Sequence, residues 1–282
     1  SKVATPGFGF TKSVYWVRFN IKNESKSTTE WYLEHDYPMI DKLALYSKSS
    51  EGNWSERTTG DTFPFLQRDI PYRNFVFVLK ILPDAQETYY SRVQSESSLV
   101  IPLKIWEGKV FLSKVNSENY GYGIYYGIML VMVLYNLILF FFIRDLSYLY
   151  YVFYVASFSL FQLVLSGTAF EFLWSNSPRF ANLAILFFAS MSVFWLLWFT
   201  RSFLKLQFIN PLTNRLLYIL QIIFIIILIF IPFLPYSIPV KLLTGVGIIL
   251  GPTLIFSAIK SLLGDYRAAR FYLIAFGTIS FG

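Results

Sequence analysis

The chain has 282 residues, of which 55% are hydrophobic, 20% aromatic and only 15% charged, with a formal net charge of +7. It has no cysteine and one histidine, His35. This excludes a disulfide framework, a thiolate nucleophile, a multi-histidine metal site and any Ser/His/Asp triad not built on that residue. Residues 1–118 carry 15 Lys/Arg against 14 Asp/Glu, and residues 119–282 carry 9 against 3, so the basic excess lies in short loops between apolar runs. That is the pattern of membrane-protein loop charge rather than of a nucleic-acid surface, and no nucleic-acid partner is expected.

Residues 13–106 read as short strands broken by turn signals. Val14–Ile21 alternates, with Tyr15, Val17, Phe19 and Ile21 on one face and Val14, Trp16, Arg18 and Asn20 on the other; Asn23-Glu24-Ser25 closes it. Trp31, Leu33 and His35 share a face of the next run, which stops near Pro38. Ile40–Ser47 is a further strand, and Ser50-Glu51-Gly52-Asn53 a turn. Thr59-Gly60-Asp61 leads into Phe63-Pro64-Phe65. Phe75, Phe77, Leu79 and Ile81 then alternate with Val76, Val78 and Lys80, and Pro83-Asp84-Ala85 turns the chain. Tyr89–Val93 follows, then Leu99, Ile101, Leu103 and Ile105 on one face. Strands at this spacing imply a β-sandwich or jelly roll.

Trp31, Trp54 and Tyr72, with Trp16, could stack on a sugar or aromatic ligand, because rigid rings give contact area at small entropic loss; they also suit a core or sheet face. Arg57, Arg68, Arg73 and Arg92 could clamp an anion through planar forks, or pair with surface acids. The candidate ligand-binding set is Trp31, Trp54, Arg68, Tyr72 and Arg73. His35, between Glu34 and Asp36, could sense pH or bind a ligand, or be a hydrogen-bonded strand-end histidine. Asn23-Glu24-Ser25 and Asn53-Trp54-Ser55 match a glycosylation sequon. No catalytic residue, cofactor or metal is expected.

Tyr120–Ile143, YGYGIYYGIMLVMVLYNLILFFFI, has 24 uncharged residues, enough as a helix to cross a hydrocarbon core, and opens with interfacial tyrosines. Further uncharged gaps lie at 146–170, 180–200, 216–240 and 242–259, and an apolar run after Arg270 reaches the end of the sequence. Pro232, Pro235 and Pro239 mark a loop. The expectation is an α+β membrane protein. An extracytoplasmic β domain over 1–114 precedes a helical domain over 115–282, with spans near 120–143, 147–168, 180–201, 214–233, 238–260 and an incomplete 268–282. Glu107–Asn119 reads as a linker. Arg144, Arg201, Lys205, Arg215, Lys260, Arg267 and Arg270 fall in alternate loops, against Arg179 and Lys241 in the others. The first set is expected to be cytoplasmic, which puts the β domain outside. There is no signal-peptide core at Ser1 and an apolar run stops at Gly282, so both ends are expected to be cut.

The spans hold only mild polar residues: Asn136, Ser157, Ser159, Gln162, Ser190, Ser192, Gln221 and Thr244. Asn136 and Gln162 are expected to bond between helices. Gly245, Gly247, Gly251 and Pro252 suit close packing or a hinge. The absence of mid-span charge weighs against a pump or ion-coupled transporter.

VYWVRFNIKN at Val14–Asn23, WYLEHDYPMID at Trp31–Asp41, TTGDTFPFLQRDIPYRNFVFVLK at Thr58–Lys80 and TYYSRVQSESSLVIPLKIW at Thr88–Trp106 resemble the extracellular sensor domain of the bacterial seven-transmembrane receptors with diverse intracellular signalling modules (7TMR-DISM). Tyr125–Tyr154 and FQLVLSGTAFEFLW at Phe161–Trp174 resemble that family's helical region, in the same order. The resemblance implies a jelly roll related to carbohydrate-binding modules, facing the periplasm. Seven helices in the bacterial inner membrane and a cytoplasmic output module such as a cyclase, kinase or phosphatase would follow. The partners implied are a small-molecule ligand of the saccharide or carboxylate kind, membrane lipid, the output module of the same full-length chain, and a second copy in a homodimer. The alternatives are a transporter or channel with an external capture domain and, more remotely, a membrane enzyme drawing on Glu171, Asp145 or Asp265.

Overall fold

The computed structural model describes residues 5–48, 52–234, 236–264 and 266–281. The chain forms two compact units, 1–124 with 162–184 and 125–161 with 185–282.

In the first unit the strands are β1 (Gly7–Phe10), β2 (Tyr15–Lys22), β3 (Glu30–His35), β4 (Lys42–Lys48), β5 (Trp54–Thr59), β6 (Phe75–Lys80), β7 (Gln86–Gln94), β8 (Ser98–Val100) and β9 (Leu103–Glu107). A four-stranded sheet of order β2-β7-β4-β5 faces a three-stranded sheet of order β6-β3-β9, and β1 pairs with β8. All the pairings are antiparallel. The sandwich core takes Leu43, Leu45, Tyr89 and Val93 from the first sheet, Leu33, Phe75, Phe77 and Leu79 from the second, and Ile40, Ile81, Leu99 and Ile101 from the connections and β8. The alternation in β2 is as the sequence implies: Tyr15, Val17, Phe19 and Ile21 pack on this core while Trp16, Arg18 and Asn20 face out. The run from Leu99 to Ile105 is split between β8 and β9, because Pro102 lacks the amide a continuous ladder needs.

Asn23 is buried, and its Nδ2 donates to the carbonyls of Thr28 (2.8 Å) and Ile81 (2.8 Å). That corrects the sequon reading at Asn23, whose amide nitrogen is committed inside the fold; Asn53 is exposed. The expected turn at Ser50-Glu51-Gly52-Asn53 lies partly outside the described residues. Gly60 follows β5 at φ 157°, and a Cβ there would lie 2.1 Å from the Asp41 carbonyl oxygen, so no side chain fits.

The helices are α1 (Gly108–Ile143), α2 (Leu146–Leu165), α3 (Thr168–Phe172), α4 (Pro178–Phe203), α5 (Leu206–Ile209), α6 (Pro211–Phe230), α7 (Ser237–Leu263) and α8 (Ala269–Phe281). Glu107–Asn119 is therefore not a loose linker: β9 ends at Glu107 and α1 begins at Gly108. Its face Phe111, Val115, Glu118 and Tyr122 repeats at the four- and three-residue spacing of a helix packed along one side. Five helical segments, 108–143, 146–165, 178–203, 211–233 and 238–263, are long and apolar enough to cross a membrane.

In the second unit Leu197, Leu204, Leu217, Phe224, Leu254, Ala258 and Tyr272 form the centre of the bundle core. The Thr200 and Tyr272 hydroxyls bond at 2.7 Å, those of Ser147 and Ser202 at 2.9 Å, and Arg201 bonds to Asn214 Oδ1 (2.8 Å) and to Gln221. Asn136 departs from expectation: its Nδ2 donates to the Met132 carbonyl of its own helix (2.8 Å), a reach the one-turn spacing favours. Asn210 caps α6 by accepting from the Thr213 amide (3.2 Å), with Pro211 at the first helical position. Of the proline cluster, Pro232 lies in a 3₁₀ turn and Pro239 in the first turn of α7; Pro235 lies outside the described residues.

Candidate functional site

The charged residues of the first unit converge on the opening turns of α1. In β3, Leu33 and His35 point into the sandwich, so Tyr32 and Glu34 point to the opposite face of the sheet. Helix α1 covers that face: Tyr72, Val76 and Phe111 are buried together, with Tyr32, Trp106 and Val115 around them. Glu34 is fully buried there. A buried carboxylate is tolerable only when paired and hydrogen-bonded, and Glu34 is both. It accepts from Asn74 Nδ2 (2.8 Å) and Trp106 Nε1 (2.7 Å) and takes an ion pair from Lys114 Nζ (2.5 Å).

Lys114 also stands 3.3 Å from Glu118 one turn along α1 and 4.0 Å from Asp36. Asp36 in turn accepts from Lys104 (2.5 Å) and Asn74 (2.7 Å). Glu118 closes the cluster by accepting from the Tyr72 hydroxyl (2.5 Å) and from the guanidinium of Arg73, which lies over the rings of Tyr72 (5.1 Å) and Tyr122 (4.4 Å). Glu34, Asp36 and Glu118 are thus set against Lys104, Lys114 and Arg73. Burial, then the bond to Glu118, raises the Tyr72 phenol above its ordinary value, so Tyr72 stays a donor.

A second group sits on the loop after β5. Arg68 is buried, its Nη1 donates to the carbonyls of Tyr72 (2.7 Å) and Arg73 (2.8 Å), and its guanidinium lies over Phe65 (4.4 Å), Phe75 (4.5 Å) and Phe170 of α3 (5.5 Å). Burial pulls it down to about 10, against the opposing pull of Asp61 and Glu171. Asp61 is buried too and accepts from Asn182 Nδ2 of α4 at 3.4 Å; burial, then neighbouring Asp41, pushes its carboxyl up to about 7. Gly167, in the turn between α2 and α3, has φ 76°, and a Cβ would lie 2.8 Å from Pro38 Cβ and 3.1 Å from the Arg73 carbonyl oxygen. The loop and helix ends therefore meet at a distance only glycine allows.

Of the candidate ligand residues, the structure brings together Arg68, Tyr72 and Arg73, buried and bonded to protein groups. Trp31 is half-buried against the sandwich core. Trp54 lies apart on β5, 57% exposed, edge-on to Tyr90 at 5.4 Å; Trp16, 56% exposed, stands 5.2 Å from Tyr46 on the same outer sheet face. Arg57 pairs with Asp69 (2.7 Å), and Arg92 Nη2 bonds to Gln94 (2.9 Å). His35 is buried beside Phe75, and burial lowers it to about 4, so it is neutral near pH 7. Glu34, Lys114 and Glu118, which the candidate set omits, carry the cluster. Their signals were the Lys114–Glu118 spacing and the alternation that turns Glu34 away from His35. Glu171 and Asp145 belong to different units, and Asp265 lies outside the described residues. Among the described residues no group of three or more His, Asp and Glu could hold a metal ion.

A β-sandwich followed by five helices long and apolar enough to cross a membrane defines a multi-pass membrane protein with an attached β domain. The description "7TM diverse intracellular signalling" matches residues 118–282, and "7TMR-DISM extracellular 2" matches residues 1–107. The chain belongs to the 7TM diverse intracellular signalling family, a family of membrane receptors with an extracellular domain and a signalling role. No curated protein matches it.

Proposed function

We propose that the chain is the sensing and membrane-spanning part of a bacterial receptor in the inner membrane, with the sandwich on the periplasmic side. A small molecule, a saccharide or a carboxylate, binds the head, and the signal passes to a cytoplasmic output module in the full-length protein, read as a homodimer. On this reading the chain itself catalyses nothing. The head is taken as 1–114 and the helical domain as 115–282, a division that falls inside α1, about two turns after its start at Gly108.

The observation that carries the reading is the buried ion cluster joining β3 and the loop before β6 to α1. Glu34, Arg73, Lys114 and Glu118 fix the first turns of a 36-residue helix to the sheet, so a ligand that moves the sheet moves the helix. Binding can bias signalling only through different affinities for two arrangements, and a ligand that favours or disfavours the cluster's pairing would supply that difference. The exposed Trp54, with Trp16, supports first contact with a ligand that stacks on rings. Arg68, Tyr72 and Arg73 are assigned to transmission, and Trp31 to the sheet beneath.

The test is a ligand screen by thermal shift on the detergent-solubilised chain, followed by output of the full-length receptor. A ligand that binds and changes output in the wild type, but binds without changing output in Glu118→Gln, supports the reading. A ligand whose binding never alters output counts against signalling. Flux of that ligand into proteoliposomes would favour the transporter alternative.

A further inference from the structure

Two adjoining cavities open in the second unit where α1 gives way to α2 and α4 to α5. One, of about 460 Å³, is polar and cationic, lined by Ser147, Arg201, Ser202, Lys205 and Asn214 among others. Its neighbour, of about 390 Å³, is walled by Met132, Tyr135, Tyr148, Tyr151, Phe199 and Phe203. Asp145, Ser147, Ser202 and Lys205 line both, so the two share a wall. We infer that the pair is a binding site for an anionic phospholipid, with the phosphate on Arg201 and Lys205 and an acyl chain along Phe199 and Phe203.

The cations are held ready. Arg201 donates through Nε to Asn214 Oδ1 (2.8 Å), bonds to Gln221 and lies over Trp198 (5.3 Å) and Tyr218 (5.0 Å). A guanidinium fixed in this way keeps further N–H donors for a phosphate at little ordering loss. Lys205, at φ 50° between α4 and α5, places Nζ 5.5 Å from the Tyr266 ring centre. Where the cavities meet, the bonded Ser147 and Ser202 hydroxyls offer neutral polar contacts. The acid in the lining, Asp145, accepts the Ser147 amide at the start of α2 (2.8 Å), and Arg201 and Lys205 together outweigh its single charge.

The chemistry of the occupant follows from the pairing. Free phosphate would fill the cationic cavity and leave the aromatic one empty of partners, whereas an amphipathic anion satisfies both. Basic pockets between spanning helices are suited to lipid phosphates. On the orientation proposed above the site faces the anionic inner leaflet, but the lining itself does not depend on that orientation.

The test uses the purified chain, delipidated in neutral detergent and titrated in mixed micelles with short-chain phosphatidylglycerol, with phosphatidylcholine, or with inorganic phosphate alone, read by native mass spectrometry. Phosphatidylglycerol is expected to bind saturably and more tightly than phosphatidylcholine. Lys205→Gln should weaken it about fivefold and Arg201→Gln by at least as much, and Lys241→Gln, in α7 and in the lining of neither cavity, should leave it unchanged. Lys205 is exposed, so its variant remains informative if Arg201→Gln fails to fold. Unaltered phosphatidylglycerol binding in Lys205→Gln, or an equal loss in Lys241→Gln, overturns the site. Inorganic phosphate binding as tightly as the lipid overturns the lipid assignment in favour of a free anion.

Discussion

The two units use polar groups in opposite ways. In the first, side-chain bonds join residues far apart in sequence: Lys114 to Glu34, Arg73 to Glu118 and Asn182 to Asp61. In the second, many return to their own helix, as Asn136 does to Met132, Ser159 to Val155, Thr244 to Val240 and Thr253 to Ile249. A partnered buried charge has few acceptable alternative positions, because leaving it alone is expensive. Apolar helix faces surrounded by lipid as apolar as themselves have many. The head is thus specified by charge pairing, and the bundle by shape.

The sharpest way to break this contrast is Lys114→Met, which strands the fully buried Glu34. Chemical denaturation followed by tryptophan fluorescence should register a loss of about 3–5 kcal/mol from the head. Adding Glu34→Gln should restore part of it; an uncorrected double variant would mean that Lys114 acts through packing.

Asp61 offers a pH reading of the same contrast. Its ordinary value is 3.8 and its folded value about 7, so the folded state binds the proton more tightly. Its favourable contribution is complete below pH 3.8, declines as pH rises towards 7 and is lost above that. Asp41, Arg68 and Asn182 all bear on this carboxyl, and Asp61→Asn should remove the slope they modulate. The variant should be more stable than wild type, by a few kcal/mol at most, above pH 7 and equal to it near pH 4, measured as melting temperature across that range.

Gly167→Ala should lower stability by about 1–3 kcal/mol through strain at positive φ and contact with Pro38. Circular dichroism melting would detect it. At the small end, Thr200→Val removes the bond to Tyr272 inside the bundle and should change stability by only about 0.6 kcal/mol in a bilayer, checked by steric trapping. A change as large as that of Lys114→Met would erase the distinction between the units.

Strand alternation and charge gaps made most of the architecture readable beforehand. The periodicity in β2 and β6 marked the inner faces of the sandwich, and the uncharged runs marked the helices. What escaped was contact across long separations. Glu34 and Lys114 are 80 residues apart, and nothing local to WYLEHDYPMID says that a helix will cover its outer face. Residues 107–119 read as a linker, although their four- and three-residue spacing suits a helix packed on the sheet. His35 attracted notice as the lone imidazole, whereas the chemistry lies with the acids on either side of it.

The direct passage from Glu107 into Gly108 sets an angular phase. An α-helix turns about 100° per residue, so one extra residue at this junction would swing Lys114 and Glu118 a quarter-turn or more away from Glu34 and Arg73, whereas four added residues would bring the same side nearly back into line. The opening turns of α1 thus fit the sheet in one rotational setting, like a key cut for one orientation.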